Sequence, residues 1–576
     1  MIERICPKCK VPMHGDRCIK ATCGCRTEVS TTIYWCSECC IPTYEVTCPL
    51  CGNNGLYMGT DLRPVFPEEK LLLALITDNP PLFFQKNNIW YGSNVYFVDG
   101  KKMKIQLSVI NSWPLEKIHA IKNLYDEFAQ QIDYEFYDEN IAKFVKANED
   151  HYFSITEEAE KYICSFSERY SVEDMMVSFS GGKDSTVTSH LVNRALGTNK
   201  VLHIFGDTTL EFPSTLEYKK RFSTNEESKG VRILSAKNRE KRFEDLCEII
   251  GPPSRVMRWC CTVFKTGAIQ KTISSAFKNK TNILTFYGIR RSESASRSKY
   301  ERESESPKIS KQTVVSPIID WIDFDIWLYI LTTKIDFNAA YRLGYSRVGC
   351  WCCPNNGAWS EFLSKVHMYD QYCHWHEMLI DFAKKIGKPD PEEYIDGGFW
   401  KARQGGNGLD VAQKSVVSFE PCATDESAFN FELQRPISDE LYELFKPFGY
   451  INRDLGNKRL GEVYVLNKTG KVMLILQGRM GETKLKVIIK NFHIAGARTL
   501  AVAEGKIQCQ LTKYQMCLGC KACESVCKHD AICVKDAGNG AITYAIDNEK
   551  CIRCTECVGH FDAGCYMRKV LCIKRS

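Results

Sequence analysis

Between residues 155 and 415 the chain alternates short apolar runs with stretches in which apolar side chains recur every three or four positions. Met175–Phe179, Val201–Phe205 and Ile283–Tyr287 are the clearest runs, and each has the length and boundaries of a buried strand. Strands alternating with helices predict an α/β core with a parallel sheet, whose ligands collect at the carboxyl ends of the strands. The first run leads straight into Ser180-Gly181-Gly182-Lys183-Asp184-Ser185-Thr186, after which Val187, Leu191, Val192 and Ala195 keep helical spacing. This predicts strand, tight turn and helix.

The flanks read differently. Residues 61–150 contain a strand-like run, Asn94–Val98, and an amphipathic stretch over 115–132, and no chemistry follows from them. Gly405-Gly406-Asn407-Gly408 marks a boundary that neither helix nor strand would tolerate in its interior. Residues 416–505 predict a small mixed unit with strands near Glu462–Leu466 and Val472–Gln477. The expected organisation is a cysteine-rich segment (1–55), an accessory segment (61–150), the α/β domain (155–415), the small unit (416–505) and a second cysteine-rich domain (506–576), with Gly538-Asn539-Gly540 as a turn between its halves.

Composition narrows the class. The 576 residues exceed one hydrophobic core, and 44% hydrophobic with 25% charged residues is ordinary for a globular protein. A net charge of +6, from 76 basic and 70 acidic residues, neither requires nor excludes nucleic acid. No apolar run approaches bilayer length and no secretory leader opens the chain, so a cytoplasmic protein without a membrane partner is expected. The 30 cysteines fall in Cys-x-x-Cys clusters, which in a reducing compartment means metal.

A glycine-rich turn opening a helix lets backbone approach an anion, and the helix's unpaired amides, its dipole and the hydroxyls of Ser180, Ser185 and Thr186 supply donors. Phosphate is the natural guest. The motif resembles the pyrophosphate loop of the adenylating ATP pyrophosphatase superfamily. Four later segments resemble the phosphoadenosine phosphosulfate (PAPS) reductase family and keep its order: Gly206-Asp207-Thr208 through Glu217, Trp259-Cys260-Cys261-Thr262, Gly288 through Ser294 with Arg297, and Ser316-Pro317-Ile318-Ile319-Asp320-Trp321. The resemblance covers roughly half the chain. It implies an adenine nucleotide alpha-hydrolase-like core binding an adenylyl nucleotide through residues 180–186, Asp207, Arg290, Arg291 and Arg297. These arginines and Lys299 form a dense cationic segment after a strand, suited to gripping phosphate or sulfate.

The cysteines divide into five sets. Cys6-x2-Cys9-x8-Cys18 recurs as Cys36-x2-Cys39-x8-Cys48, and with Cys51 the second copy has the two knuckles of a zinc ribbon. In the first copy the fourth ligand is either Cys23 or Cys25. Cys260-Cys261 with Cys350 and Cys353 resembles the [4Fe-4S] site of adenylylsulfate reductases, the extra Cys352 being a departure. At the end of the chain, Cys517-x2-Cys520-x2-Cys523-x3-Cys527 and Cys551-x2-Cys554-x2-Cys557-x7-Cys565 resemble a two-cluster ferredoxin. That resemblance implies crossed ligation, with Cys565 completing the first [4Fe-4S] set and Cys527 the second. Lys528 and Tyr566 stand where proline usually follows.

The first functional expectation is an iron–sulfur sulfonucleotide reductase, acting on PAPS or adenylylsulfate with a low-potential electron donor. The Glu-Cys-Gly-x-His segment of assimilatory reductases is missing, and Cys373-His374-Trp375-His376 substitutes for it weakly. Because the phosphate loop is complete, the alternative is an ATP pyrophosphatase of nucleic-acid thiolation, using Mg²⁺ with ATP and the ribbons as a nucleic-acid grip. A non-catalytic iron–sulfur regulator is third.

Overall fold

The computed structural model describes the chain except residues 1–3, 7–8, 10–11, 14–17, 21–22, 24–27, 30, 226–229, 306–311, 414–416, 537–541, 562–563 and 573–576. Two compact units emerge. The first holds Met1–Phe205, Leu210–Ser235 and Ser275–Cys373; the second holds Gly206–Thr209, Ala236–Ser274 and His374–Ser576. The segment expected to run from 155 to 415 is therefore divided between them. No helix among the described residues is long and apolar enough to cross a membrane.

One sheet consists of β1 (Met175–Phe179), β2 (Leu202–Asp207), β3 (Ile233–Lys237), β4 (Ile283–Tyr287), β5 (Glu303–Glu305) and β6 (Gln312–Val315), in the order β3-β2-β1-β4-β6-β5, and all of it but the last two residues of β2 and of β3 falls in the first unit. β1 runs parallel to β2 and β4, and β4 parallel to β6; β5 is the antiparallel edge. The order reverses beside β1, which is where an open parallel sheet forms its binding crevice. Helix α1 (Lys183–Leu196) follows β1, ending on Gly197 in the left-handed region (φ 61°), and α2 (Asp323–Thr333) follows β6.

Residues 61–150 share the core of the α/β domain. Phe66 packs edge-on against Trp327 of α2 with ring centroids 5.3 Å apart, and Phe144 meets Phe324 at 5.3 Å. The expected strand is Val95–Val98 and the amphipathic stretch is the helix Leu115–Ala129, which buries Ile118, Ile121 and Tyr125. Close packing of these rings is what ties the accessory segment to α2.

In the second unit, β7 (Ser418–Cys422), β8 (Asp425–Glu432), β9 (Tyr450–Asn452), β10 (Glu462–Leu466), β11 (Val472–Gln477) and β12 (Lys484–Ile489) form an antiparallel sheet in the order β7-β8-β12-β11-β10-β9. Its apolar face shares one core with helix α3 (Leu500–Met516) and the cysteine-rich end of the chain. There a hairpin of β13 (Ile532–Asp536) and β14 (Ile542–Ile546) separates the two cysteine runs. The expected turn at Gly538-Asn539-Gly540 lies outside the described residues.

Candidate nucleotide site and cysteine clusters

The phosphate loop is held from several sides. Gly181 adopts φ +71°, and a Cβ there would stand 3.0 Å from Thr215 Cγ2, so the turn requires glycine. Gly288, at the end of β4, approaches α1 so closely that an added Cβ would lie 2.6 Å from the Asp184 carbonyl oxygen. Ser185 Oγ accepts the Ser180 N–H at 3.2 Å and donates to the Gly182 carbonyl at 2.9 Å. The Tyr341 hydroxyl accepts the Lys183 N–H at 2.9 Å, Asn338 donates to the Gly181 carbonyl at 3.2 Å, and Thr186 meets the Tyr218 hydroxyl at 2.9 Å. The first-turn amides of Asp184 and Ser185 have no acceptor among the described residues, as a helix N-terminus that can receive an oxyanion requires.

The charged side chains are arranged differently from the sequence expectation. Lys183 and Arg290 do not project as open anion grips. The Lys183 ammonium is buried, 3.3 Å from Asp184 and 3.2 Å from Asp323, and donates to the Ser346 carbonyl at 3.2 Å. Arg290, 3% exposed, donates to Asp184 at 2.5 Å and to Asp323 at 2.6 Å. Burial opposes the charge on both cations, but the two carboxylates outweigh it and raise both pKa values. Burial likewise works against charge on Asp184, yet Arg290 and Lys183 hold its pKa down to about 2. The loop lysine and Arg290 are thus a neutralised strut beneath the loop.

Asp61, from the segment without assigned chemistry, completes this network. Its carboxylate accepts the N–H groups of Asp323 at 3.1 Å and Phe324 at 3.0 Å, capping α2. Burial, and then the Asp323 charge, push its pKa up to about 7. Farther out, Arg291 pairs with Asp320 at 2.5 Å, and Arg297 pairs with Glu293. The Arg297 pKa is lowered by burial and then by the neighbouring Arg347 guanidinium. Arg347 is exposed and has no ion pair among the described residues, so the approach of two guanidinium groups leaves positive potential unmatched there. Asp207, at the end of β2, and Lys237, at the end of β3, both in the second unit, lie 3.7 Å apart.

The cysteine sets differ in closure. Ligand atoms of Cys6, Cys9, Cys18 and Cys23 lie within 4.8 Å of one another, as do those of Cys36, Cys39, Cys48 and Cys51. The structure thus brings Cys23 into the first set; Cys25 lies outside the described residues. In each knuckle an amide supports a sulfur: Cys9 N–H donates to Cys6 Sγ at 3.3 Å and Cys39 N–H to Cys36 Sγ at 3.4 Å. Hydrogen bonding to Cys23, with burial, raises the Cys9 pKa to about 12, and burial raises that of Cys39. A metal entering either tetrad would displace those protons, and four clustered sulfurs fit tetrahedral zinc.

At the end of the chain Cys527, Cys551, Cys554 and Cys557 line one cavity with His529 and Ile552. Burial pushes Cys517 up to about 12 and Cys520 farther, with Cys565 and Cys523 adding to both. The thiols of Cys517, Cys520, Cys523 and Cys565 therefore act on one another as a second group. Cys260 and Cys261 enter a π-helical turn, Cys261–Thr266, in the second unit, near the half-buried Tyr566 phenol. Cys350 and Cys353 belong to the first unit, where the Cys353 N–H donates to the Cys350 carbonyl at 3.2 Å.

Sequence reasoning did not single out Asp61, Asp323, Tyr341, Asn338 or Arg347 as site residues. Asp323 had a local signal, an acid in the first turn of a helix just after Asp320-Trp321; Asp61 is 262 positions away from its amide partner and had none.

The fold is that of an α/β domain whose glycine turn, residues 180–182, lies at the crevice beside β1. Residues 174–356 match the phosphoadenosine phosphosulfate reductase domain family. Two uncharacterized proteins of Methanocaldococcus jannaschii are similar. One is 33% identical over 227 residues, covering 39% of this chain and 45% of the relative. The other is 30% identical over 269 residues, covering 46% and 61%. The chain therefore spans about half the length of these curated relatives. An adenosine 5'-phosphosulfate reductase of Bacillus mycoides is 24% identical over 183 residues, 31% of this chain and 73% of the relative. A phosphoadenylyl-sulfate reductase structure from Candida auris aligns with 34% of this chain and 95% of its own, at 15% identity and a TM-score of 0.26.

Proposed function

We propose that this protein is an iron–sulfur enzyme of the PAPS reductase family that reduces an adenylyl sulfonucleotide, PAPS or adenylylsulfate, to sulfite. The observation that carries this reading is the phosphate loop itself, braced by the Lys183–Asp184–Arg290–Asp323 network and presenting unpaired helix amides in a domain matching that family. The loop amides and the hydroxyls of Ser180 and Ser185 would hold the nucleotide's phosphate, and Arg297 and Arg347 would face the remaining anionic charge. The bond broken joins sulfur to its bridging phosphate oxygen. Two electrons pass to sulfur, which leaves as sulfite, and the nucleotide keeps the oxygen.

The eight C-terminal cysteines suit two [4Fe-4S] clusters with crossed ligation. Cys527 shares a cavity with the second run, and Cys565 acts on the first. Such clusters would supply electrons singly from a low-potential donor. The N-terminal tetrads suit structural zinc.

A second reading, ATP-driven thiolation of a nucleic acid, is favoured by the completeness of Ser180–Thr186, which suits the pyrophosphate of ATP. Anaerobically purified protein given either sulfonucleotide with a low-potential reductant, or Mg²⁺ and ATP, separates them. Sulfite from the sulfonucleotide is expected. Pyrophosphate from ATP without any sulfite would overturn the reductase reading.

A further inference from the structure

Lys513 sits in the interior of α3 and is 1% exposed. Its ammonium donates to the Cys557 carbonyl at 2.9 Å and lies 5.9 Å from the Tyr544 ring. It has no carboxylate partner among the described residues. A buried ammonium without a counter-charge is strongly disfavoured. The side chains acting on its charge are those of Cys523, Cys557, Cys565 and Cys517, in falling order. Three of these belong to the first cysteine run with its crossed partner, and Cys557 belongs to the second. Tyr544, itself buried, is acted on by Cys523, Cys557 and Cys517 as well.

We propose that Lys513 is a positioning residue for electron transfer: a fixed positive charge shared by both cysteine sets, which holds both clusters at a higher reduction potential than their ligands alone would set. This rests on the reading that those cysteines bind two [4Fe-4S] clusters. Four thiolates give such a cluster net negative charge, and reduction adds one more; a cation held in a dry pocket between the sets favours the reduced form of each. The same placement explains why a lysine is tolerated there, since the clusters are its counter-ion.

The experiment uses the full chain, reconstituted anaerobically, as wild type, Lys513→Met and Lys513→Arg. Iron and sulfide are counted first, and a wild type without a two-cluster complement overturns the cluster reading itself. With clusters present, Lys513→Met is expected to shift both one-electron couples down by a tenfold change in equilibrium, 59 mV, in a spectroelectrochemical titration. Lys513→Arg is expected to keep them. If Lys513→Met fails to assemble clusters that Lys513→Arg holds, the required charge is supported by that contrast. Full iron in Lys513→Met with unchanged potentials would overturn the proposal.

Discussion

Two buried lysines show how differently the halves of this molecule are stabilised. Lys183, 3% exposed, meets Asp184 and Asp323, so its charge is balanced by the polypeptide before any ligand arrives. Lys513, 1% exposed, meets a carbonyl and the thiols of four cysteines, so its balance depends on what those thiols bind. The loop region is thus balanced by the chain's own charges, whereas the balance at Lys513 rests on its cysteines. Preorganised donors suit binding and polarising a phosphate; a region completed by metal makes folding and loading one event.

The largest effect that would break this contrast is metal removal. Stripping metal from the Cys36, Cys39, Cys48 and Cys51 tetrad should unfold the ribbon around Ile33–Gly59, since structural zinc contributes on the order of 10–16 kcal/mol in comparable knuckles. Limited proteolysis should then cut there and spare the α/β domain. Resistance of the chelated ribbon to protease would remove metal from its stability.

Next is the network beneath the loop. Arg290→Met removes one of the two cations that Asp184 and Asp323 share, and breaking such a buried pair costs about 3–5 kcal/mol. Denaturant unfolding of the first unit should register it. An unchanged midpoint would mean that the strut is dispensable and the comparison with Lys513 false.

Ser185→Ala removes the acceptor of the Ser180 N–H and should weaken adenylyl-nucleotide binding about tenfold, in line with about 1–3 kcal/mol for an orphaned buried donor. Calorimetric titration would read it, and unaltered affinity would take the loop out of the site. Arg347→Ala should lower affinity less, about threefold, because an exposed guanidinium contributes about 0.2–1 kcal/mol. The melting temperature should stay constant.

The smallest effect is a pH slope. Asp61 has its pKa raised from 3.8 to about 7, so the folded state favours its protonated form. Its contribution to stability is fully present below pH 3.8 and is lost as pH rises through about 7. Asp184, held near 2, behaves oppositely: its contribution is present above pH 3.8 and is lost as pH falls towards 2. The stability of Asp61→Asn relative to wild type should therefore improve as pH rises from 4 to 7. A difference independent of pH would contradict the burial of that carboxylate.

What the sequence determined by itself is local. The strand–turn–helix around residues 175–196 needs only neighbouring residues, because glycine torsions and helix periodicity act over a few positions. Cys-x-x-Cys knuckles are equally legible, since two sulfurs at that spacing face one point whatever surrounds them. Tertiary structure alone decided the long-range electrostatics. The linear chain presented Lys183, Arg290, Arg291 and Arg297 as cations alike, and folding buried the first two against Asp184 and Asp323 while leaving Arg297 beside the exposed Arg347. It also brought Asp61 to the amides of α2 and Lys513 between two cysteine runs. The reason is physical: whether a charge serves a ligand or the fold depends on which opposite charge packing sets beside it, and no spacing rule encodes that.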